Sequence, residues 1–285
     1  MEKILILGAY GLLGTYISKG LKANGFVIYQ QGRLPNSEYK CNPTDFLELS
    51  DLVFNLKPQI VINLIANTSV ENCENNSENA YNSNVKVLEN LYKISINNSF
   101  YLIHISTDQV YSGTGPHKEE DVNPCNVYGI TKYAAELIAE KTNSTILRTN
   151  FVCKSFIPNR DSYTDWVVSS FKGDKPFTIY NDVLFNALYV EDFLSALLKV
   201  IEKKHKGVFN LGCIDGISKA DFAIELSKKL KLESNFVNIG SISNNKIKVK
   251  RPLDMRMDVS KFIKTFQHEL PSMSNTINKL VSDYI

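Results

Sequence analysis

Short apolar runs bounded by polar and turn-forming residues recur through the first half of the chain, at Ile4–Leu7, Phe26–Tyr29, Ile60–Leu64, Phe100–Ile105 and Thr145–Leu147. Their length and lack of alternation suit strands buried on both faces, as in a parallel sheet. Between them, Leu13–Ala23, Ala80–Asn97 and Tyr128–Glu140 carry apolar residues at helical spacing, and Gly25 stands where the first helix should end. This βα rhythm predicts an α/β fold with a doubly wound parallel sheet.

Past Asn150 the alternation loosens. A polar stretch at Pro158–Asp165 precedes a helix-like Trp166–Phe171 and a strand-like Phe177–Tyr180; Val190–Ile201 has helical spacing, Val208–Leu211 looks like one more strand, and Lys219–Leu230 is again helical. The chain is expected to leave the sheet and return to it. Residues 1–152 with 188–213 then form a nucleotide-binding domain, and 153–187 with 214–285 a smaller, C-terminal substrate-binding region. The asparagine-rich Asn72-Cys73-Glu74-Asn75-Asn76 is expected to be a solvated loop. Lys246-Ile247-Lys248-Val249-Lys250-Arg251 alternates like a half-buried edge strand.

Composition narrows the function classes. The chain has 285 residues, enough for a large core, and 32 basic against 30 acidic residues leave a net charge of +2, too balanced to point to nucleic acid. The five cysteines, Cys41, Cys73, Cys125, Cys153 and Cys213, are scattered without metal-ligand spacing, so reduced thiols in a cytoplasmic protein and no metal site are expected. The apolar stretch after Met1-Glu2-Lys3 is too short for a signal peptide, and no run reaches the length of a membrane span. A small-molecule ligand is the better expectation; a homodimer is left open.

Gly8-Ala9-Tyr10-Gly11-Leu12-Leu13-Gly14 follows the first strand and opens the first helix. Glycines there allow a tight turn, close approach of a diphosphate and packing of helix on strand, while the helix N-terminus offers N–H groups to phosphate. The fold is therefore Rossmann-like. About 20 residues on, an acid would hold a free adenosine ribose. Here the second strand ends Tyr29-Gln30-Gln31-Gly32-Arg33, without a carboxylate, and Arg33 can pair with a 2′-phosphate, which favours NADP(H) over NAD(H). Arg33 as a solvated surface residue is the plainer alternative.

Tyr128 and Lys132, four residues apart, share one face of a helix. An ammonium near the phenol would favour the phenolate and bring it toward a range useful for proton transfer. Ser106-Thr107-Asp108 follows a strand, placing hydroxyls at the carboxyl edge of the sheet. Taken alone, Y-x-x-x-K is a weak signal, and Thr107 alone reads equally as a turn cap.

Ser106-Thr107-Asp108-Gln109-Val110-Tyr111-Ser112-Gly113-Thr114-Gly115, then Glu120-Asp121, Pro124 and Asn126-Val127-Tyr128-Gly129-Ile130-Thr131-Lys132, resemble the core of the dTDP-4-dehydrorhamnose reductases, which are extended short-chain dehydrogenases. The glycine loop, Asn63-Leu64-Ile65-Ala66-Asn67-Thr68, Val70-Glu71 and Arg251-Pro252 extend the resemblance over most of the chain. It implies an NADPH-dependent reductase of a nucleotide-activated 4-keto-6-deoxy sugar. In it Tyr128 protonates the 4-keto oxygen, Lys132 holds the nicotinamide ribose and Thr107 bonds the reacting oxygen. By the same resemblance Gly11, Leu12 and Leu13 contact the diphosphate, Asn42 and Pro43 lie near the adenine, and Ala66, Asn67, Thr68 and Ile105 complete the cofactor contacts. Asp108 touches the sugar, and Phe151 stands where the family places a substrate-facing tryptophan. Gly8, Gly14 and Arg33 join the cofactor set and Arg251 the substrate set, as a candidate for the diphosphate. The chain departs from the family at Asn42, where aspartate is usual, and at Asn181–Asn186, which lacks the usual glycine and Pro-Thr.

Three other functions are weighed. A sugar-nucleotide 4,6-dehydratase resembles Thr-Asp-Glu where this chain has Thr107-Asp108-Gln109, and an amide cannot serve as that general acid or base. An epimerase resembling GDP-fucose synthase needs a cysteine and a histidine; Cys153 is available, but no histidine lies between His117 and His205. A non-catalytic NADP-binding regulatory subunit is disfavoured by the intact Thr107, Tyr128 and Lys132. The four histidines are expected at the surface or in packing.

Overall fold

Every strand foreseen in the first half of the chain joins one sheet in the computed structural model, which describes residues 2–244 and 248–285. The strands are β1 (Lys3–Leu7), β2 (Val27–Gly32), β3 (Tyr39–Lys40), β4 (Ile60–Asn63), β5 (Tyr101–Thr107), β6 (Ser144–Thr149) and Gly207–Leu211. Their spatial order is Gly207–Leu211, β6, β5, β4, β1, β2, β3, and all neighbours are parallel. The strand order therefore reverses between β1 and β4, where Leu7 stands opposite Asn63, and a crevice opens beyond the strand ends at such a point.

The helices are α1 (Leu12–Ala23), α2 (Phe46–Leu56), α3 (Val70–Asn75), α4 (Ser77–Asn84), α5 (Lys86–Ser95), α6 (Val127–Ala139), α7 (Tyr163–Lys172), α8 (Val190–Lys203), α9 (Lys219–Lys229), α10 (Ser260–Phe266) and α11 (Met273–Val281). Alternate strand residues serve opposite layers. Ile4 and Ile6 of β1 pack with Ile17 of α1 and Leu197 of α8, whereas Leu5 and Leu7 join Leu49 of α2, Leu91 of α5 and Ala135 of α6. Each of these buried leucines and isoleucines contributes about 1.5–3 kcal/mol. The first cluster also takes in Phe171, Phe185 and Phe222 from the second half, so one core runs through both regions.

The second half adds small pairings: Phe151–Val152 with Leu188–Tyr189, Leu184–Phe185 with Ile217–Ser218, and Phe177–Tyr180 with Val237–Gly240. The chain thus leaves the main sheet after β6 and returns at Gly207–Leu211.

The structure corrects several expectations. The single helix over Ala80–Asn97 is two, broken at Val85, because Asn84 is held by long-range bonds: it accepts from the Asn67 N–H at 2.7 Å and donates to Thr131 Oγ1 at 2.9 Å. Asn72–Asn75 lie in α3 rather than a loop, capped by Ser69. Ser106 and Thr107 end β5 instead of following it. Lys246 and Ile247 lie outside the described residues; Lys248–Arg251 form no strand, although Val249 is buried. His104 and His117 are buried, within the packing role expected of the histidines. Among the described residues no helix is long and apolar enough to cross a membrane.

Candidate functional site

Two cavities lie beyond the strand ends. The larger, of about 640 Å³, is lined by Gly8, Gly11, Arg33, Asn42, Pro43, Ala66, Asn67 and Thr68, all anticipated, and by Tyr10, Gln31, Ser83 and Arg160, which were not. Its floor is the glycine loop. Gly8 has a φ of +80°, a left-handed conformation that a side chain would strain. A Cβ on Gly14 would fall 2.4 Å from the Gly8 carbonyl oxygen, so this glycine is required by the close approach of α1 to the loop. Gly11 caps α1 without a side-chain bond, and the first turn carries no acid, which leaves the amide dipoles there open to an anion.

Gln31 answers why no acid ends β2. Its Oε1 accepts from the Gly8 N–H at 2.9 Å and its Nε2 donates to the Cys41 carbonyl at 2.7 Å, so the side chain ties the glycine loop to the sheet edge. Arg33 follows at the exposed rim of the cavity. Asp45 and Glu48, further along, are committed as acceptors of backbone N–H groups, Asp45 from Leu47 and Glu48, and Glu48 from Asn42. These features fit a dinucleotide with a phosphorylated ribose. Leu12, Leu13, Gly14 and Ile105 do not line the cavity: Leu13 and Ile105 are in the core, and Leu12 packs against it.

Tyr128 and Lys132 lie in α6, whose N-terminus is set by Asn126 accepting from the Gly129 N–H at 2.9 Å. Both side chains are buried, Lys132 to 1% exposure and Tyr128 to 6%. Lys132 Nζ donates to the Ile105 carbonyl at 2.7 Å and lies 3.5 Å from His104 Nε2; His104 Nδ1 in turn is 3.2 Å from Asn63 Nδ2. Burial lowers the ammonium to about 8, with Glu136 opposing. Burial also pushes the Tyr128 phenol up, aided by the charges of Asp108 and Cys73, and the Thr107 hydroxyl is the group that pulls it down. The lowering expected from Lys132 is therefore not what this arrangement provides, because the ammonium is engaged at β5. Val70, Cys73, Ala80 and Val249 pack around the Tyr128 ring.

Thr107 performs the capping role as well: its Oγ1 accepts from the Gln109 N–H at 3.2 Å and donates to Asp108 Oδ1 at 3.1 Å. Asp108 is buried and accepts from Asn150 Nδ2 at 2.7 Å; burial raises its carboxyl to about 6, against those bonds and the charge of Lys219. Beside it opens the second cavity, of about 300 Å³, lined by Gln109, Lys219, Arg251, Glu71, Met255 and neighbouring apolar residues. Thr107, Asp108 and Tyr128 are thus brought together, with Arg251 at the adjoining cavity. Phe151, in its short strand, packs against the core and does not line that cavity.

Lys219 carried no signal in the sequence, and the sequence did not show how Gln109 and Arg251 are placed. Lys219 Nζ sits 5.1 Å over the Tyr163 ring and faces Asp108 electrostatically. Gln109 Oε1 is buried without a hydrogen-bond partner among the described residues. Arg251 is paired with Glu71 at the cavity wall. None of these relations follows from local spacing.

The RmlD substrate binding domain family matches residues 1–285. A dTDP-4-dehydrorhamnose reductase of Aggregatibacter actinomycetemcomitans is 28% identical over 290 residues, covering 93% of this chain and 94% of that one. A methionine adenosyltransferase 2 subunit beta of Xenopus tropicalis is 36% identical over 141 residues, 47% of this chain and 42% of its own. Among solved structures, a dTDP-4-dehydrorhamnose reductase of Bacillus anthracis in complex with NADP superposes with a TM-score of 0.89 at 22% identity, covering 99% of both chains.

Proposed function

Because the chain belongs to the RmlD substrate binding domain family, we propose that it is an NADPH-dependent reductase of a nucleotide-activated sugar, and more finely of a 4-keto-6-deoxy sugar. The observation that carries this is the buried Tyr128 beside Thr107 at the carboxyl end of β5, with Lys132 one helical turn on and held at the Ile105 carbonyl. The relatives named as dTDP-4-dehydrorhamnose reductases support the substrate class.

NADPH, when bound, supplies a hydride to the carbonyl carbon. Tyr128 gives its phenolic proton to the carbonyl oxygen, so that the ketone becomes an alcohol. A phenol pushed up by burial holds that proton at neutral pH and releases it only as negative charge develops on the oxygen. Thr107 turns its hydroxyl from Asp108 to the same oxygen, and Asp108 is left to hold a sugar hydroxyl. Lys132 holds the nicotinamide ribose. Gly8, Gly11 and the open α1 N-terminus hold the diphosphate, Arg33 the 2′-phosphate, Asn42 and Pro43 the adenine side, and Ala66, Asn67 and Thr68 the far wall. Arg251 takes the sugar-nucleotide diphosphate. Residues 1–152 with 188–213 serve the cofactor and 153–187 with 214–285 the substrate.

Turnover of NADPH with a 4-keto-6-deoxy sugar nucleotide tests this, together with Tyr128→Phe, which removes the proton and keeps the ring. That variant should lose roughly two or more orders of magnitude in kcat with NADPH affinity little changed. Near-normal turnover by Tyr128→Phe would remove the proton path. Tight NADPH binding by the wild type with no turnover would instead favour a regulatory binding subunit.

A further inference from the structure

Arg160 belongs by position to the stretch assigned to the substrate, yet it lines the cofactor cavity: its Nη1 stands 4.0 Å from where a Cβ on Gly11 would lie. We propose that Arg160 is a ligand of the cofactor diphosphate, an arm from the second region that closes over the N-terminus of α1. The proposal rests on the NADP(H) assignment.

Three features lead there. The loop bearing Arg160 is tied to α1 and α7, since Tyr16 of α1 donates to the Lys154 carbonyl at 2.7 Å, its ring meets Phe156 at 5.6 Å, and the Ser155 N–H donates to Asp165 Oδ2 at 2.9 Å. A closing bond from the Arg160 N–H to the Ile157 carbonyl at 3.3 Å bends the loop into a turn that ends beside Gly11. Among the described residues the Arg160 guanidinium has no ion pair, and the α1 N-terminus beneath it has no side-chain cap and no acid in its first turn. A cation and a row of free amides therefore converge on one anion-sized position. A guanidinium can bond two phosphate oxygens at once, and the amides supply the opposite side. Arg33, at the far rim past β2, would meet the 2′-phosphate instead, so the two arginines divide the cofactor's anionic groups between them.

That division makes the test. Affinities of wild type, Arg160→Ala, Arg160→Lys and Arg33→Ala are measured for NADPH by fluorescence titration, and for NADP⁺ and adenosine 2′-phosphate by its displacement. Adenosine 2′-phosphate carries the ribose phosphate and lacks the diphosphate. Arg160→Ala should weaken NADPH and NADP⁺ roughly five- to twentyfold, the range of one charge-assisted contact at an exposed rim, and leave adenosine 2′-phosphate unchanged. Arg160→Lys should recover part of the loss, and Arg33→Ala should weaken all three ligands. Unchanged NADP⁺ affinity in Arg160→Ala, or an equal loss for adenosine 2′-phosphate, overturns the proposal. Wild-type protein that binds none of the three overturns it together with the cofactor assignment, whereas normal wild-type binding with an indifferent Arg160 overturns the arm alone.

Discussion

Lys132 Nζ donates to the Ile105 carbonyl at 2.7 Å, so the helix that bears Tyr128 is tied to the end of the strand that bears Thr107. That bond needs only an N–H and survives loss of the ammonium charge. The charge itself is lost early, since burial lowers Lys132 from 10.5 to about 8. Cofactor affinity should therefore fall as pH rises past about 8, and fluorescence titrations of NADPH between pH 6.5 and 9 should show the break. In Lys132→Met the affinity should be weaker and flat across that range. The stability sign is opposite: the unfolded chain keeps this proton up to about 10.5, so the penalty of burying the ammonium is full below pH 8 and relieved between 8 and 10.5. An NADPH affinity left unchanged by Lys132→Met would remove Lys132 from cofactor binding.

Glu71 of α3 and Arg251 pair at the wall of the smaller cavity, at side-chain exposures of 53% and 32%. A diphosphate at Arg251 competes with the neighbouring Glu71 carboxylate for the same guanidinium. Glu71→Gln should accordingly lower the Michaelis constant for the sugar nucleotide about two- to fivefold, in keeping with the small worth of an exposed ion pair. Arg251→Ala should raise it, and neither change should alter NADPH affinity. Steady-state kinetics with the sugar nucleotide varied at saturating NADPH separates these outcomes, and a raised Michaelis constant in Glu71→Gln would count against the exchange.

Behind the site, Arg148 of β6 binds Glu136 of α6 through Nε at 3.0 and 3.1 Å and through Nη2 at 2.6 Å, with both side chains buried. Ser106 donates to the same carboxylate, and Arg148 Nη1 reaches the Tyr111 hydroxyl at 2.7 Å and the Glu119 carbonyl at 2.6 Å. Removing one partner strands the other charge in the interior. Glu136→Gln or Arg148→Met should cost about 3–5 kcal/mol, read as a lower urea midpoint at unchanged slope. A midpoint within error of wild type would show that the pair adds little.

What could be read from the sequence was what is local. Buried parallel strands make continuous apolar runs, so β1, β4 and β5 were visible, and the glycine loop and the Tyr128/Lys132 spacing lie within single elements. The helix α2 was missed although Leu49, Leu52, Val53 and Leu56 share one core-facing stripe, because the exposed Phe46, Leu47 and Phe54 blur its period in the sequence. The break at Val85 depends on Asn84 bonding Asn67 and Thr131, which no helical period reveals. His104 carries no mark of its place beside Lys132. Arg160 and Lys219 reach their cavities only because the second half folds back on the first.

Arg33 is the residue proposed to choose between the two nicotinamide cofactors. It stands directly after β2 at the rim of the larger cavity. The side chain that could have held a free ribose, Gln31, is spent on the Gly8 N–H and the Cys41 carbonyl, and the carboxylates of Asp45 and Glu48 are taken by backbone N–H groups. Neither acid lines the cavity, so a 2′-phosphate there meets a cation and no carboxylate in the wall. NADPH should therefore bind more tightly than NADH, and Arg33→Ala should shrink the ratio of the two affinities about tenfold, the worth of one charge-assisted contact at an exposed position. The loss should fall on NADPH alone, because NADH lacks the phosphate that Arg33 would meet. Titrating both cofactors into the wild type and the variant decides it. An NADH preference that persists in Arg33→Ala, or an equal loss for both cofactors, would sink the assignment of Arg33 to the 2′-phosphate.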